Sequence, residues 1–374
     1  MVTSSRPPRR ATPVTALPPA VFTAPGPVVS VYFGTEPSTP RTDRRPDLRW
    51  RSLRDRLAAR GAPDAALEAV DPVIGDGARG GAGTLVAIAG PTGLLHTSRL
   101  SEGPGEDIGH LGPIAHLTPL IAAVQPLLPH LVVATDRLGA ELVVMLPDAP
   151  DVHHDVEGEE LHVTRSAPGG WSQRRFQQRA ENRWQENAGK VAGAVTALVD
   201  RHRPRVIVLS GDVRAVQFLR DQLPPRAAEL IVEVQGDYST TEEALRRGER
   251  VVESTAADDT ARLLAELRGE HRRHGLAVSG AASTLDAIAT GQAAVVLLDP
   301  DATAGATASF GPELHQVAST SAALVAGGVD RPGSAPLADV AVRGARGTAA
   351  EVWIVPGGSP ELAPDGVAAL LRHG

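Results

Sequence analysis

The stretch RSAPGGWSQRRFQQRAENRWQENAGK, residues 165–190, decides how the chain is read. Pro168-Gly169-Gly170 must interrupt regular structure, since proline fixes its own φ and two glycines admit conformations closed to other residues. No proline follows until Pro204, and the run from about Arg174 to His202 reads as a long helix. On that helix Arg175, Arg179 and Arg183 recur at i, i+4 and i+8 and form one stripe. Gln178, Asn182 and Gln185 add side-chain donors and acceptors near it.

Charge is placed unevenly. The segment holds six basic residues (Arg165, Arg174, Arg175, Arg179, Arg183, Lys190) and two acidic ones (Glu181, Glu186), a local sum of +4 in a chain of net charge -7. Trp171, Phe176 and Trp184 also fall here, in a chain that is only 3% aromatic. Lys190 is the sole lysine, so arginine is common everywhere and only clusters with aromatic company carry weight. Arginine forks grip phosphate in bidentate fashion and stack on bases. A glycine loop tipped by an indole, with arginines behind it, suits an RNA-lined cavity. On the residues alone, a surface helix opened by a glycine turn is the competing reading.

Outward from this segment the pattern alternates between strands and helices. Upstream, LVVATDRLGAELVVML (131–146) is two β-rich runs around Asp136–Gly139, a hairpin, followed by an acidic stretch Asp148–Glu160 and a strand ELHVTRS. Downstream come RVIVLS, a short helix QFLRDQL and ELIVEVQ, closing a middle domain over 131–240. An N-terminal α/β domain, 28–130, opens with the strand VVSVYF and the amphipathic helix RWRSLRDRLAAR. It continues with the helix APDAALEAVDPVI, the strands TLVAIAG and GLLHTSRL, and the helical PLIAAVQPLL. A C-terminal α/β domain, 241–374, starts with a charged helical run to His274. There follow the helix TLDAIAT, the strand AAVVLLD, a helix near 313–327, and ADVAVRG and AEVWIVP. The expected fold class is therefore α/β, in three consecutive α/β domains. Residues 1–27, Pro-rich with Arg6, Arg9 and Arg10, read as a disordered tail and lack the apolar core of a secretory signal. With no apolar run long enough to span a bilayer, the expectation is a soluble, cytoplasmic protein.

Zero cysteine removes disulfides, iron–sulfur clusters, thiolate zinc sites and cysteine nucleophiles. Gly75, Gly77 and Gly80 satisfy GxGxxG, but a helix precedes them and a strand follows, the reverse of a dinucleotide fingerprint, so they read as a flexible loop. His153–His154 between Asp151 and Asp155 read as a polar loop, with metal ligation the alternative. Asp258–Asp259 and Glu242–Glu243 read as solvated helix termini or faces, and the Asp258 pair suits the N-terminal end of a helix dipole. Gly291-Gln292 reads as a turn.

The segment GGWSQRRFQQRAENRW, after a strand and opening a long helix, resembles the GGQ loop and following helix of the eukaryotic and archaeal release factor/Pelota superfamily. It looks most like the bacterial branch, which includes Vms-type peptidyl-tRNA hydrolase relatives and Balon-type hibernation factors with actinobacterial members. The hairpin before the loop and RPRVIVLSGDVRAVQFLRDQLP after the helix agree in kind, and TLDAIATGQAAVVLLD resembles the helix–strand core of the superfamily's ribosomal-protein-like third domain. The resemblance is fairly specific over 131–235, looser in the third domain and weak in the first.

The resemblance implies a ribosome-binding, release factor/Pelota-like protein. Gly169, Gly170, Trp171, Ser172, Gln173, Arg174, Arg175, Arg179 and Arg183 would meet RNA at the peptidyl transferase centre. The N-terminal domain would face the decoding centre. The C-terminal domain would meet elongation factor Tu or another translational GTPase. No cofactor, metal or membrane is implied. The departure is at the third loop position, where the family's water-organising glutamine is replaced by Trp171. Gln173, two residues on, is the one candidate catalytic residue, by analogy with a nearby glutamine in Vms-type relatives. Three functions stand open: a non-catalytic factor occupying the A site of idle ribosomes as part of a stress response, a peptidyl-tRNA ester hydrolase or rescue factor using Gln173, and an α/β binding protein without a ribosomal role. Two structural expectations accompany them: residues 170–175 as an exposed loop, and Arg175, Arg179 and Arg183 on a mostly open face.

Overall fold

The computed structural model describes residues 16–35, 46–77, 81–101, 103–146, 149–158, 170–234 and 241–372. It is α/β throughout, with one sheet in the first stretch of sequence, one in the middle stretch and two in the third. Packing divides the chain into two units: Met1–Gln125 with Thr260–Gly374, and Pro126–Asp259.

The first stretch contains α1 (Ala20–Thr23), β1 (Val28–Gly34), α2 (Pro46–Ala59), α3 (Asp64–Gly77), β2 (Thr84–Gly90), β3 (Gly93–Leu100), β4 (Ile108–Gly112) and α4 (Thr118–Val124). Its strands form an antiparallel sheet in the order β3-β2-β1-β4. β1 is buried on both faces, so its alternate residues serve two cores. Val29, Val31 and Phe33 meet Trp50, Leu53 and Leu57 of α2 and Leu67, Val70 and Ile74 of α3. Val28 and Tyr32 join the other core, which includes residues of the third stretch.

The expected disordered tail is corrected in part. Residues 1–15 lie outside the described residues, but Leu17, Val21 and Phe22 are buried in the core, and Arg346 lies over the Phe22 ring at 5.8 Å. Their i, i+4, i+5 spacing puts three apolar side chains on one face, which outweighs the surrounding prolines. The glycine cluster is corrected too: Gly75 and Gly77 belong to the end of α3, and Gly80 lies outside the described residues.

The middle unit contains β5 (His130–Thr135), β6 (Gly139–Leu146), β7 (Ala149–Glu157), α5 (Gly170–His202), β8 (Val206–Gly211), α6 (Val213–Gln222), α7 (Pro225–Ala228) and β9 (Ile231–Glu233). The sheet order is β7-β6-β5-β8-β9, with β5, β8 and β9 parallel and β6 and β7 antiparallel. Val191, Val195 and Val199 of α5 and Leu219 of α6 cover one face, against Leu131, Val133, Leu142, Ile207 and Leu209. The other face, Val132, Val143 and Val208, is covered by Ala244 of α8 (Thr241–Arg273). The acidic stretch after the hairpin is a strand rather than a loop, and the strand expected at ELHVTRS lies outside the described residues.

α8 is shared between the two units. Val252 and Ala256 are buried with Leu128 and Val206 of the middle unit, whereas Leu267 is buried with Leu297 and Trp353 of the other. The expected division at 240/241 thus differs from the packing boundary, Asp259/Thr260, which falls inside this helix. The expectation for Asp258–Asp259 is also corrected. They sit in mid-helix, and Asp259 is buried and accepts a hydrogen bond from Arg205 Nη2 at 2.8 Å.

The third stretch continues with β10 (Ala277–Ser279), α9 (Ala281–Ala289), β11 (Ala293–Leu298), β12 (Thr307–Phe310), β13 (Val317–Ala318), α10 (Ser321–Ala326), β14 (Gly333–Pro336), α11 (Leu337–Thr348), β15 (Glu351–Ile354) and β16 (Val367–Leu371). One sheet runs β10-β16-β11-β15 and a small one β13-β12-β14. The helix–turn–strand read from TLDAIATGQAAVVLLD is α9, a turn at Gly291 (φ +72°) and β11. The helix expected near 313–327 is instead β13 followed by the shorter α10, and ADVAVRG is the front of α11.

This stretch meets the first through polar contacts as well as the shared core. Gln125 donates to the Ile354 carbonyl at 2.8 Å and accepts from its N–H at 2.7 Å, as a neighbouring strand would. His116 Nδ1 lies 3.0 Å from both carboxylate oxygens of Asp339, whose side chain is wholly buried. Tyr32, its hydroxyl pushed up by burial, donates to the His116 carbonyl at 2.7 Å.

Candidate nucleic-acid interface

α5 has 33 residues, about 50 Å of helix at 1.5 Å per residue. Its described buried side chains all lie in the C-terminal half: Asn187, Ala188, Val191, Ala192, Val195 and Val199. The base of that anchored half is a compact polar junction. The turn between β5 and β6 is fixed by Asp136, whose Oδ1 accepts from Leu138 N at 2.7 Å and Gly139 N at 2.8 Å. This fixes Arg137, and its guanidinium lies over the Trp184 indole at 4.6 Å. Arg137 Nη2 also donates to Asp212 Oδ2 at 3.0 Å, and its carbonyl accepts from Asn187 Nδ2 at 3.1 Å.

Asp212 is the N-cap of α6, accepting from Arg214 N at 3.1 Å and Ala215 N at 3.2 Å through its other oxygen. The Arg137 hydrogen bond holds its carboxyl below the usual carboxylate range, against a smaller opposing effect of burial. Two glycines allow these elements to meet. Gly211 has φ +144°, and a Cβ there would lie 1.8 Å from the Thr135 carbonyl oxygen. A Cβ at Gly158, just past β7, would lie 2.0 Å from the Leu138 carbonyl oxygen and 2.4 Å from Asn187 Cγ. Gln222 of α6 donates to the Gln185 carbonyl at 2.8 Å, and Arg214 pairs with Glu181 at 3.6 Å. Leu138 is 44% exposed and Val213 82% exposed beside this junction.

The residues expected to touch RNA fall as follows. Gly169 lies outside the described residues. Gly170, Trp171, Ser172, Gln173, Arg174, Arg175 and Arg179 are on α5, and their side chains lie outside the described residues. The expected loop over 170–175 is therefore corrected: the helix begins at Gly170. Ser172 to Arg175 contain no helix breaker, and a glycine costs little at the first position of a helix. Arg183, the innermost of the stripe, is half-buried and pairs with Glu186 at 3.8 Å.

Arg137, Asn187 and Asp212 were not singled out by sequence reasoning. Asp212 carries the one available signal, an N-cap residue placed directly before a helix. Arg137 offers none, because its partners lie far along the chain. His153 and His154 occupy successive positions of β7, opposite Val143 and Leu142, and so point to opposite sides of the sheet. No group of three or more His, Asp or Glu able to hold a metal is present among the described residues. No described helix is long and apolar enough to cross a membrane.

Comparison with known proteins bears on the same region. Residues 129–283 match the model of bacterial archaeo-eukaryotic release factor family 2. The uncharacterized proteins MT2704 and Rv2629 of Mycobacterium tuberculosis are each 27% identical over 279 residues, 72% of this chain and 73% of theirs. Among solved structures, a model of ribosome-bound archaeal Pelota and ABCE1 is similar at 17% identity and a TM-score of 0.41, over 94% of this chain and 91% of that one. The archaeal translation termination factor aRF1 is similar at 15% identity and a TM-score of 0.24, over 94% and 95%. The region matched by the family model contains the hairpin, the Arg137 junction, α5 and α6. Over residues 129–283, less than half of its length, this chain is thus similar to bacterial archaeo-eukaryotic release factor family 2.

Proposed function

We propose that the protein is a ribosome-associated translation factor that occupies the A site of idle ribosomes, a hibernation role, without efficient hydrolysis of peptidyl-tRNA. The observation that carries this reading is Trp171 at the position where the superfamily resembled has its glutamine. An indole offers one N–H donor and no acceptor, so it cannot orient a water against an ester. The same position can still stack on a base. Arg174, Arg175, Arg179 and Arg183 supply phosphate contacts behind it, in a chain otherwise acidic. In this reading Gly169, Gly170, Trp171, Ser172 and Gln173 reach towards the peptidyl transferase centre, the N-terminal domain faces the decoding centre, and the C-terminal domain meets elongation factor Tu or another translational GTPase.

Ribosome pelleting across a salt series tests it. Binding should weaken steeply with salt, and Arg175→Glu with Arg179→Glu should reduce both the affinity and the salt slope, since each lost phosphate contact removes about one counterion. No pelleting at low salt overturns the reading. A second reading is favoured by one residue: Gln173, two positions beyond Trp171, serves as the water-orienting group of a peptidyl-tRNA hydrolase or rescue factor. Stalled complexes carrying labelled peptide separate the two. The first reading expects no release at micromolar protein. Release abolished by Gln173→Ala establishes the second.

A further inference from the structure

The described buried contacts of α5 begin at Asn187, while the helix starts at Gly170. From Trp184 to Gly170 is about 20 Å of helix at 1.5 Å per residue. A tilt of about 10° at the base would therefore move the Gly170 end by about 4 Å. That exceeds the placement error a functional site tolerates, which is below about 1 Å.

At the base, Arg137 touches each of the parts that define this angle. Its guanidinium carbon lies over the Trp184 ring of α5, 4.6 Å from the centroid. Its Nη2 holds Asp212, the cap of α6, at 3.0 Å. Its own carbonyl holds Asn187 of α5, which is 3% exposed. The Asp136 turn fixes its backbone to the β5–β6 hairpin. We propose that Arg137 is a positioning residue: by lying over Trp184 while paired with Asp212, it sets the direction in which α5 leaves the sheet, and so the place of the Gly170–Gln173 end. A planar fork can stack and pair at once, whereas an ammonium offers a point charge only. Its importance for docking rests on the reading of that end as ribosome-facing; its geometry does not.

The chain has no cysteine, so spin labels can be placed at will. One labelled pair, Gln177→Cys with Asp221→Cys, spans the N-terminal half of α5 and α6. A control pair, Arg201→Cys with Asp221→Cys, spans the anchored half. Distances are measured in the full chain carrying Arg137, Arg137→Lys or Arg137→Ala, with circular dichroism confirming the fold. The expected result is a distance distribution for the first pair that broadens or shifts in Arg137→Ala, is intermediate in Arg137→Lys, and leaves the control pair unchanged. No change in the first pair overturns the proposal. Broadening of both pairs also overturns it, since Arg137 would then merely hold the domain together.

Pelleting of the unlabelled Arg137→Ala protein should be about tenfold weaker than that of the parent. Equal pelleting despite a broadened first pair overturns the link to docking. Should the parent itself fail to pellet, the functional reading falls while the distance measurement still decides the positioning role.

Discussion

Ser30 and His110 face each other across β1 and β4, and the His110 ring stacks on His116 with centroids 4.7 Å apart. His110 Nε2 is buried without a hydrogen-bond partner. Burial and then the neighbouring His116 push its pKa below the ordinary value, while Asp339 pulls the other way. The folded protein therefore prefers the neutral ring. A depressed histidine contributes stability that is complete above the unfolded value, about 6.5, and is lost as the pH falls below it. Thermal unfolding followed from pH 7.5 to 5 should show this loss, and His110→Gln should show less of it. His130, depressed by its own burial in the other unit, keeps its share in both proteins, so the difference isolates His110. Nothing in the sequence marked these rings, because the stacking depends on β4 pairing with β1.

Among elements, the hairpin 131–146 was legible because β-branched runs flank an Asp-Arg-Leu-Gly turn. β7 was not. It is an edge strand whose described side chains are mostly exposed, so DVHHDVE shows no apolar alternation to read. The start of α5 was hidden by the double glycine, which signals a break but not which glycine ends it. Asp259 misled for a related reason: α8 runs unbroken from Thr241 to Arg273, so a carboxylate pair inside it imitates a helix start. The positive φ of Gly211 likewise shows only in three dimensions, where β8 passes the Thr135 carbonyl. Gly211→Ala combines a strained backbone with that clash and should destabilise the middle unit by about 2 kcal/mol or more. Urea unfolding followed by a probe in Pro126–Asp259 measures it; an unchanged midpoint would contradict the packing described.

For the whole molecule, the alternation of strand and helix patterns indicated α/β layers, and the charges a basic segment in an acidic chain, but neither showed which stretches pack together. The first and third stretches share one core, closed by His116 and Asp339. His116→Ala leaves a wholly buried carboxylate without its partner, at a cost of roughly 3 kcal/mol. The expected outcome is a lower denaturation midpoint for that unit, with the transition of Pro126–Asp259 unmoved. The interrupted sequence of this unit also bears on its biosynthesis. While the chain emerges, β1 to α4 are made early, yet their apolar partners on α9, β11 and α11 come only after all of Pro126–Asp259 has been translated. At about 5–20 residues per second, one half of that core waits on the order of ten seconds for the other. Pro126–Asp259 is the only one of the two units whose sequence is complete before then, so it should gain protease resistance first on a growing nascent chain.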